Sequence, residues 1–167
     1  YLYTGIATDT GNFSYPSADE ETFEIARDLL IEGADKDSIN INVFQSNSSD
    51  YYKLLGEALG TLEIFESKVS CIYLTQDMLA RNNISFNDVD AITPYTRNIK
   101  GVEVGILVKQ KGENEIKVSL RSKSYFDVSK VAKIFGGGGH VRASGCTIND
   151  TVENAKKKII KEVLKNI

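Results

Sequence analysis

The sequence predicts an α/β (α+β) fold in which a mixed β-sheet is flanked by helices. Apolar residues alternate with other residues over 102–108 and again over 116–121, which is the pattern of two strands. The polar segment 109–115 between them contains a glycine, so the two strands are expected to form a hairpin. Apolar stripes with a helical period run through 50–66 and 151–167 and predict the flanking helices.

The remaining elements follow from helix caps and short apolar runs. Ser17 and Glu20 read as a capping box that begins a helix to about Glu32, and Gly33 ends that helix. Asp127 caps a second helix, which stops at a run of glycines. Shorter elements are a strand at 69–74, a helix at 76–81, a helix near 86–95 that Pro94 limits, and a strand at 143–148.

A domain boundary is predicted in the most linker-like stretch of the chain, the serine- and asparagine-rich segment 45–49. It divides an N-terminal part, 1–45, from a C-terminal domain, 46–167. The chain begins at Tyr1 without a methionine, and its first residues are as apolar as the interior of a fold. We therefore expect a fragment of a longer protein.

Charge is distributed unevenly along the 167 residues, although the net charge is only −3. Residues 1–90 contain 16 acidic and 5 basic residues, whereas residues 91–167 contain 7 acidic and 15 basic residues. The second half is therefore expected to attract a polyanion, although solvated helix faces are an alternative explanation of its lysines. Two distant cysteines exclude a disulfide framework and favour a reducing cytoplasm, and no apolar run is long enough for a membrane span.

The most distinctive segment is a run of four glycines followed by His140, the only histidine, and then by Arg142. Four glycines after a helix suggest a backbone that approaches a ligand closely and turns its N–H groups toward it. Together with an imidazole and a guanidinium, they predict a phosphate site. A flexible linker with an incidental histidine is the alternative. The common phosphate-loop and dinucleotide motifs are absent.

Two further motifs contain candidate functional residues. The period of two places Arg121, together with Lys117 and Ser119, on the polar face of its strand. There its planar guanidinium could bind a phosphate, and Ser122 offers a hydroxyl. A surface arginine is the alternative. Asp9 lies in an Asp-Thr-Gly sequence, which has three interpretations: an aspartic protease, a metal-binding carboxylate on a tight turn, or a simple turn. The protease is disfavoured because only one copy is present.

Taken together, the motifs resemble those of the DHH phosphoesterases. GGGGHVRASG at 136–145, with VSLRSKSYFDVSKVAKIF at 118–135, resembles their C-terminal DHH-associated domain. The segment at 3–30 resembles the last conserved stretch of their catalytic DHH domain. The arginine after the histidine and the Ala-Ser-Gly that follows are most similar to the NrnA-type branch. Enzymes of that branch hydrolyse very short RNA and 3′-phosphoadenosine 5′-phosphate.

The resemblance implies roles for particular residues. Asp9 matches a metal-binding, catalytic aspartate for one of two Mn²⁺ (or Mg²⁺) ions, and His140 is a second catalytic candidate. The positions implied for substrate binding are Arg121, Ser122, Gly136, Gly137, Gly138, Gly139, His140 and Arg142. The DHH signature itself is absent, so residues 1–45 are expected to be a remnant of the catalytic domain. The fragment alone is then expected to bind substrate without hydrolysing it and to hold no metal ion.

Several alternatives remain open at this stage. A non-catalytic nucleic-acid-binding module, a domain like that of alanyl-tRNA synthetase, and a fragment of a RecJ-like exonuclease or a cyclic dinucleotide phosphodiesterase share parts of the pattern. The expected partners are short RNA or nucleotide phosphates and the missing DHH domain. Related enzymes often pair, so a homodimer is also among the expectations, in the cytoplasm and without a membrane.

Overall fold

The computed structural model describes residues 1–167, which divide into two compact units, Tyr1–Ser48 and Ser49–Ile167. The domain boundary predicted from the sequence, between residues 45 and 46, lies at the end of the last helix of the first unit. No helix combines the length and the apolar character needed to cross a membrane.

The first unit is helical. Its helices are α1 (Leu2–Asp9), α2 (Glu20–Ile31) and α3 (Lys36–Phe44). Its small core contains Tyr3, Ala7 and Ala26. Phe13 stacks on Phe23 with ring centroids 5.4 Å apart.

Two predictions for this unit need correction. Asp19, and not Ser17, caps α2, because its carboxylate accepts a hydrogen bond from the Thr22 amide at 2.9 Å. The helix still ends as predicted, with Gly33 at a φ of +93°. The segment before the boundary, for which the sequence predicts no helix, contains α3, which Asp35 caps through the Ser38 amide. None of its residues is buried, and its apolar residues form no clear helical stripe in the sequence.

The second unit is an α/β domain built on one six-stranded mixed sheet, as the sequence predicts. In chain order its elements are α4 (Ser49–Gly60), β1 (Glu63–Phe65), β2 (Val69–Leu74), α5 (Gln76–Arg81), α6 (Thr93–Arg97), β3 (Val104–Gln110), β4 (Ile116–Ser122), α7 (Val128–Ile134), β5 (Gly138–His140), β6 (Ala143–Ile148) and α8 (Val152–Asn166). The strand order is β1-β2-β3-β4-β6-β5. Only β2 and β3 are parallel; the other neighbours are antiparallel.

Two elements of this unit differ from the prediction. Helix α4 ends at Gly60, and residues 63–65 pair with β2 as a strand, because Glu66 and Ser67 adopt positive φ angles and turn the chain back. The predicted helix at 86–95 consists of two 3₁₀ turns followed by α6. Pro94 lies in the first turn of α6, where its missing N–H leaves no hydrogen bond unmade, so it begins a helix there.

The two faces of the sheet are covered to different extents. On one face, the apolar residues of β3, β4 and β6 pack against α7 and α8 in the main core. On the other face, α4 and α5 pack against β2 and β3 through Ile72, Leu74 and Leu107. Helix α6 lies over Gly105, where a side chain would collide with Thr96. On this second face α6 also reaches the end of β4 next to Gly105. We call the surface formed by the rest of β4 with β6 and β5 the open face.

Candidate phosphate site on the open face of the sheet

The register of three neighbouring strands places Arg121 and His140 in one row across the open face. Arg121 of β4 lies opposite Ala143 of β6, and Ala143 lies opposite His140 of β5. Directly opposed residues of antiparallel strands point their side chains to the same face. Two strand spacings separate the backbones of Arg121 and His140, about 9.6 Å. Only the methyl group of Ala143 lies between them in this row.

Arg121 is held in place by its own strand. Its side chain is half-buried, and Nη1 donates a hydrogen bond to the carbonyl of Leu120 at 3.0 Å. The alternating burial of β4 confirms the sequence-based prediction that Arg121, Ser119 and Lys117 share one face. A guanidinium fork anchored in this way is suited to bind a phosphate with two parallel hydrogen bonds.

His140 is exposed at the end of the edge strand β5, directly before a two-residue hairpin turn. Its carbonyl accepts a hydrogen bond from the Ser144 hydroxyl at 2.7 Å, which ties the two strands of the hairpin together. The imidazole therefore stands on a fixed backbone at the sheet edge. Its ring nitrogens can take part in hydrogen bonding with an anion.

Two of the four glycine amides are not available for the amide cradle that the sequence suggests. The amides of Gly136 and Gly137 donate to the carbonyls of Lys133 and Ala132, so they satisfy the end of α7 and not a ligand. Gly138 and Gly139 form most of β5. The first two glycines therefore end α7, and the next two belong to β5.

Contacts explain why side chains are excluded from this segment. A Cβ on Gly137 would lie 2.1 Å from the carbonyl oxygen of Gly145, and one on Gly139 would lie 2.6 Å from that of Ala143. A Cβ on Gly138 meets nothing within 4 Å. Gly138 lies two residues before His140 in the same strand and shares its face. It therefore leaves open space beside the imidazole.

Ser122 and Arg142 form hydrogen bonds with the backbone around the site. Ser122 is fully buried on the face opposite Arg121, so the two neighbours cannot contact one ligand from the same face. Its hydroxyl has no hydrogen-bond partner, whereas its amide donates to the Arg142 carbonyl at 3.1 Å. The guanidinium of Arg142 donates to the Phe126 carbonyl at 2.9 Å. Both residues thus connect the β5–β6 turn to the loop after β4.

Glu103, which sequence reasoning missed, holds that loop. Its buried carboxylate accepts hydrogen bonds from the amides of Ser124, Tyr125 and Phe126 at 2.9 to 3.2 Å and from the Ser124 hydroxyl at 2.7 Å. Burial raises the pKa of Glu103, but these hydrogen bonds outweigh burial and leave the pKa below its usual value. The alternation at 102–108 marked Glu103 as part of a strand, and only the folded chain shows its partners.

A further row of polar residues crosses the open face. Lys109 of β3 lies opposite Lys117 of β4, and Lys117 lies opposite Thr147 of β6. Lys117 Nζ donates to Thr147 Oγ1 at 2.8 Å. The three side chains line a groove of about 480 Å³, together with Ser119 and Gly145. Sequence reasoning found Lys117 and Ser119, but the strand register was needed to add Lys109 and Thr147.

Asp9 lies in the first unit, where it is the exposed last residue of α1 and not part of a tight turn. No group of three or more His, Cys, Asp or Glu side chains comes together to hold a metal ion. Octahedral ions such as Mn²⁺ need about six ligands, mostly oxygens. The residues present do not fit a two-metal centre.

Comparison with known proteins places the chain in a family. The family model for the DHHA1 domain matches residues 67–167. A probable bifunctional oligoribonuclease and PAP phosphatase NrnA from Streptococcus mutans is 34% identical over 99% of this chain and 52% of its own length. The bifunctional oligoribonuclease and PAP phosphatase NrnA from Thermus thermophilus is 29% identical over 97% of this chain and 48% of its own.

A solved structure shows the same fold. An exopolyphosphatase-related protein from Bacteroides fragilis superposes with a TM-score of 0.90 at 31% identity, over 98% of this chain and 48% of that one. The chain belongs to the DHHA1 domain family, as its resemblance to the DHH phosphoesterases predicts. It spans about half the length of the relatives it matches.

Proposed function

We propose that this chain is the substrate-binding C-terminal part of a DHH phosphoesterase that hydrolyses short oligoribonucleotides and 3′-phosphoadenosine 5′-phosphate. The observation that carries the proposal is the row Arg121–Ala143–His140 on the open face. The function named for the NrnA relatives, oligoribonuclease and PAP phosphatase, supports this choice of substrates.

In the proposed complex a phosphate lies over Ala143, between the two polar side chains. Arg121 presents a planar fork to two phosphate oxygens, and the His140 imidazole donates a hydrogen bond from the other side. The small residues at Ala143 and Gly138 allow the ligand to approach the sheet closely. The basic charge of residues 91–167 favours association with a polyanion at low ionic strength.

The chain alone is expected to bind without hydrolysis. Its candidate metal ligand is a single aspartate, Asp9, and two-metal hydrolysis needs several carboxylates and histidines. The Mn²⁺-dependent step therefore belongs to the full-length protein in this proposal. When the chain is incubated with Mn²⁺ and a short RNA, we expect no hydrolysis at a rate comparable with that of the full-length enzyme.

A binding titration tests the proposal. A labelled RNA of two to five nucleotides and 3′-phosphoadenosine 5′-phosphate are each titrated at two salt concentrations. We expect both to bind, to weaken as salt rises, and to weaken at least tenfold in Arg121→Ala and in His140→Ala. Lys157→Ala is the matched control, because the Lys157 side chain is exposed on α8, which packs against the opposite face of the sheet. If neither ligand binds, or if both variants bind normally, the proposed site is wrong.

A further inference from the structure

A pair of lysines lies on the open face at a distance from Arg121 and His140. Lys109 and Lys117 face each other across β3 and β4, four residues along β4 from Arg121. At about 3.3 Å per strand residue, this separation is about 13 Å. The row between the two pairs, Ser119–Gly145–Gly138, contains only small side chains. No large side chain therefore stands between the two lysines and the Arg121–His140 row on this face.

The environment of Lys109 is unusual for a lysine. Its side chain is only 8% exposed, and its ammonium group lies 5.5 Å from the centroid of the Phe86 ring. A lysine this deeply buried loses hydration, so it requires an anionic or π-electron partner. The chain supplies Asp90, whose own side chain is 72% exposed. Lys109 therefore lines the groove, while the side chain of its partner Asp90 is mostly exposed to solvent.

The acids near this pair do not block the groove. Asp90 pairs with Lys109, and Glu115 pairs with Lys111 at 3.0 Å and with Lys117 at 3.4 Å. No acidic residue lines the groove itself. The Lys117–Glu115 pair is partly exposed on both sides and contributes little to stability, so a phosphate can replace Glu115 at small cost.

The separation of the two ends selects among ligands. In a nucleoside 3′,5′-bisphosphate, six covalent bonds join the two phosphorus atoms, a path of at most about 9 Å when each bond is about 1.5 Å. Phosphates that lie over the two rows, about 13 Å apart along the sheet, are farther apart than one such molecule can span. A linear oligoribonucleotide carries further phosphates and can.

We infer that Lys109 and Lys117, with Thr147, form a second phosphate subsite, which linear oligoribonucleotides occupy and 3′-phosphoadenosine 5′-phosphate does not reach. The inference rests on the proposed function, because it extends the same site. It assigns the preference for RNA over the bisphosphate to residues two register rows away from Arg121 and His140. The primary phosphate remains between Arg121 and His140.

The test compares two ligands on one variant. For Lys117→Ala we expect five-nucleotide RNA to bind roughly tenfold more weakly and the bisphosphate to bind as before. The slope of log affinity against log salt should fall by about 0.7 for the RNA alone, the value for one phosphate contact on a single strand. Lys117→Arg should restore RNA binding, and Lys157→Ala should change neither ligand.

Each contrary result is informative. Unchanged RNA binding in Lys117→Ala, while the unmodified chain binds both ligands, overturns the subsite and leaves the proposed function standing. Equal weakening of both ligands also overturns it, since Lys117 then belongs to the primary site. If the unmodified chain binds neither ligand, the proposed function fails and the subsite with it. Thermal melting of Lys117→Ala within about 2 °C of the unmodified chain excludes misfolding as the cause.

Discussion

Arg121 and His140 are 19 positions apart in the chain, yet they stand in one register row with Ala143 between them. This relationship depends on strand order, because β6 is inserted between β4 and the edge strand β5. The short β5–β6 hairpin and the loop held by Glu103 then fix the row in place. The function proposed for the chain depends on this row.

Filling the row should block binding without removing a charge. Ala143→Leu places a larger side chain between Arg121 and His140, where the phosphate is proposed to lie. We expect RNA and 3′-phosphoadenosine 5′-phosphate to bind at least tenfold more weakly, about 1.4 kcal/mol. Titration measures this effect, and Ala143→Ser is the control of similar size. Normal binding by Ala143→Leu contradicts the position assigned to the phosphate.

The glycines of the run should respond differently to substitution. Gly137→Ala introduces a Cβ 2.1 Å from a carbonyl oxygen, so we expect it to destabilise the domain by about 1–3 kcal/mol. Gly138→Ala meets open space, so folding should be preserved while ligand binding weakens. Chemical denaturation measures the first effect and titration the second. Equal destabilisation of both variants would argue against the arrangement of β5.

The carboxylate of Glu103 should stabilise the domain in a pH-dependent way. Its lowered pKa means that the stabilisation is complete above the unfolded value of 4.5 and is lost as pH falls through the lower folded value. We expect Glu103→Gln to lower the free energy of unfolding by about 2 kcal/mol at neutral pH. Denaturation curves at several pH values measure the difference, which should shrink in acid. A difference that does not change with pH contradicts the assigned hydrogen bonds.

The two cysteines should be unreactive in the folded chain. Burial raises the pKa of Cys71 to about 12 and that of Cys146 to about 11, so both remain thiols at neutral pH. We expect a thiol reagent to label them only after denaturant is added. Rapid labelling of Cys146 without denaturant would show that the packing between β6 and α7 opens readily.

Local sequence patterns predicted those parts of the fold that local interactions determine. The strands at 69–74 and 143–148, the Asp127 cap and the shared face of Arg121 and Lys117 are all confirmed. Each depends on alternation or on one capping hydrogen bond. The same patterns overextended the helix at 50–66, because Phe65 fits a helical stripe equally well as an inward residue of β1.

The site could be predicted only in part, because it depends on long-range register. Arg121, His140 and the glycines were identified as candidates from their chemistry. The burial of Ser122 on the opposite face and the use of the Gly136 and Gly137 amides by α7 could not be read from spacing. Glu103, Lys109 and Thr147 remained hidden for the same reason, since their partners lie on other elements.

The most direct test uses the fact that His140 is the only histidine. Its imidazole resonances can be followed by NMR without ambiguity while a three-nucleotide RNA or 3′-phosphoadenosine 5′-phosphate is added. The account predicts that they shift and saturate with either ligand, and that Arg121→Ala requires at least tenfold more ligand for the same shift. Binding that leaves the His140 resonances unmoved would contradict it, because the phosphate would then lie outside the Arg121–His140 row.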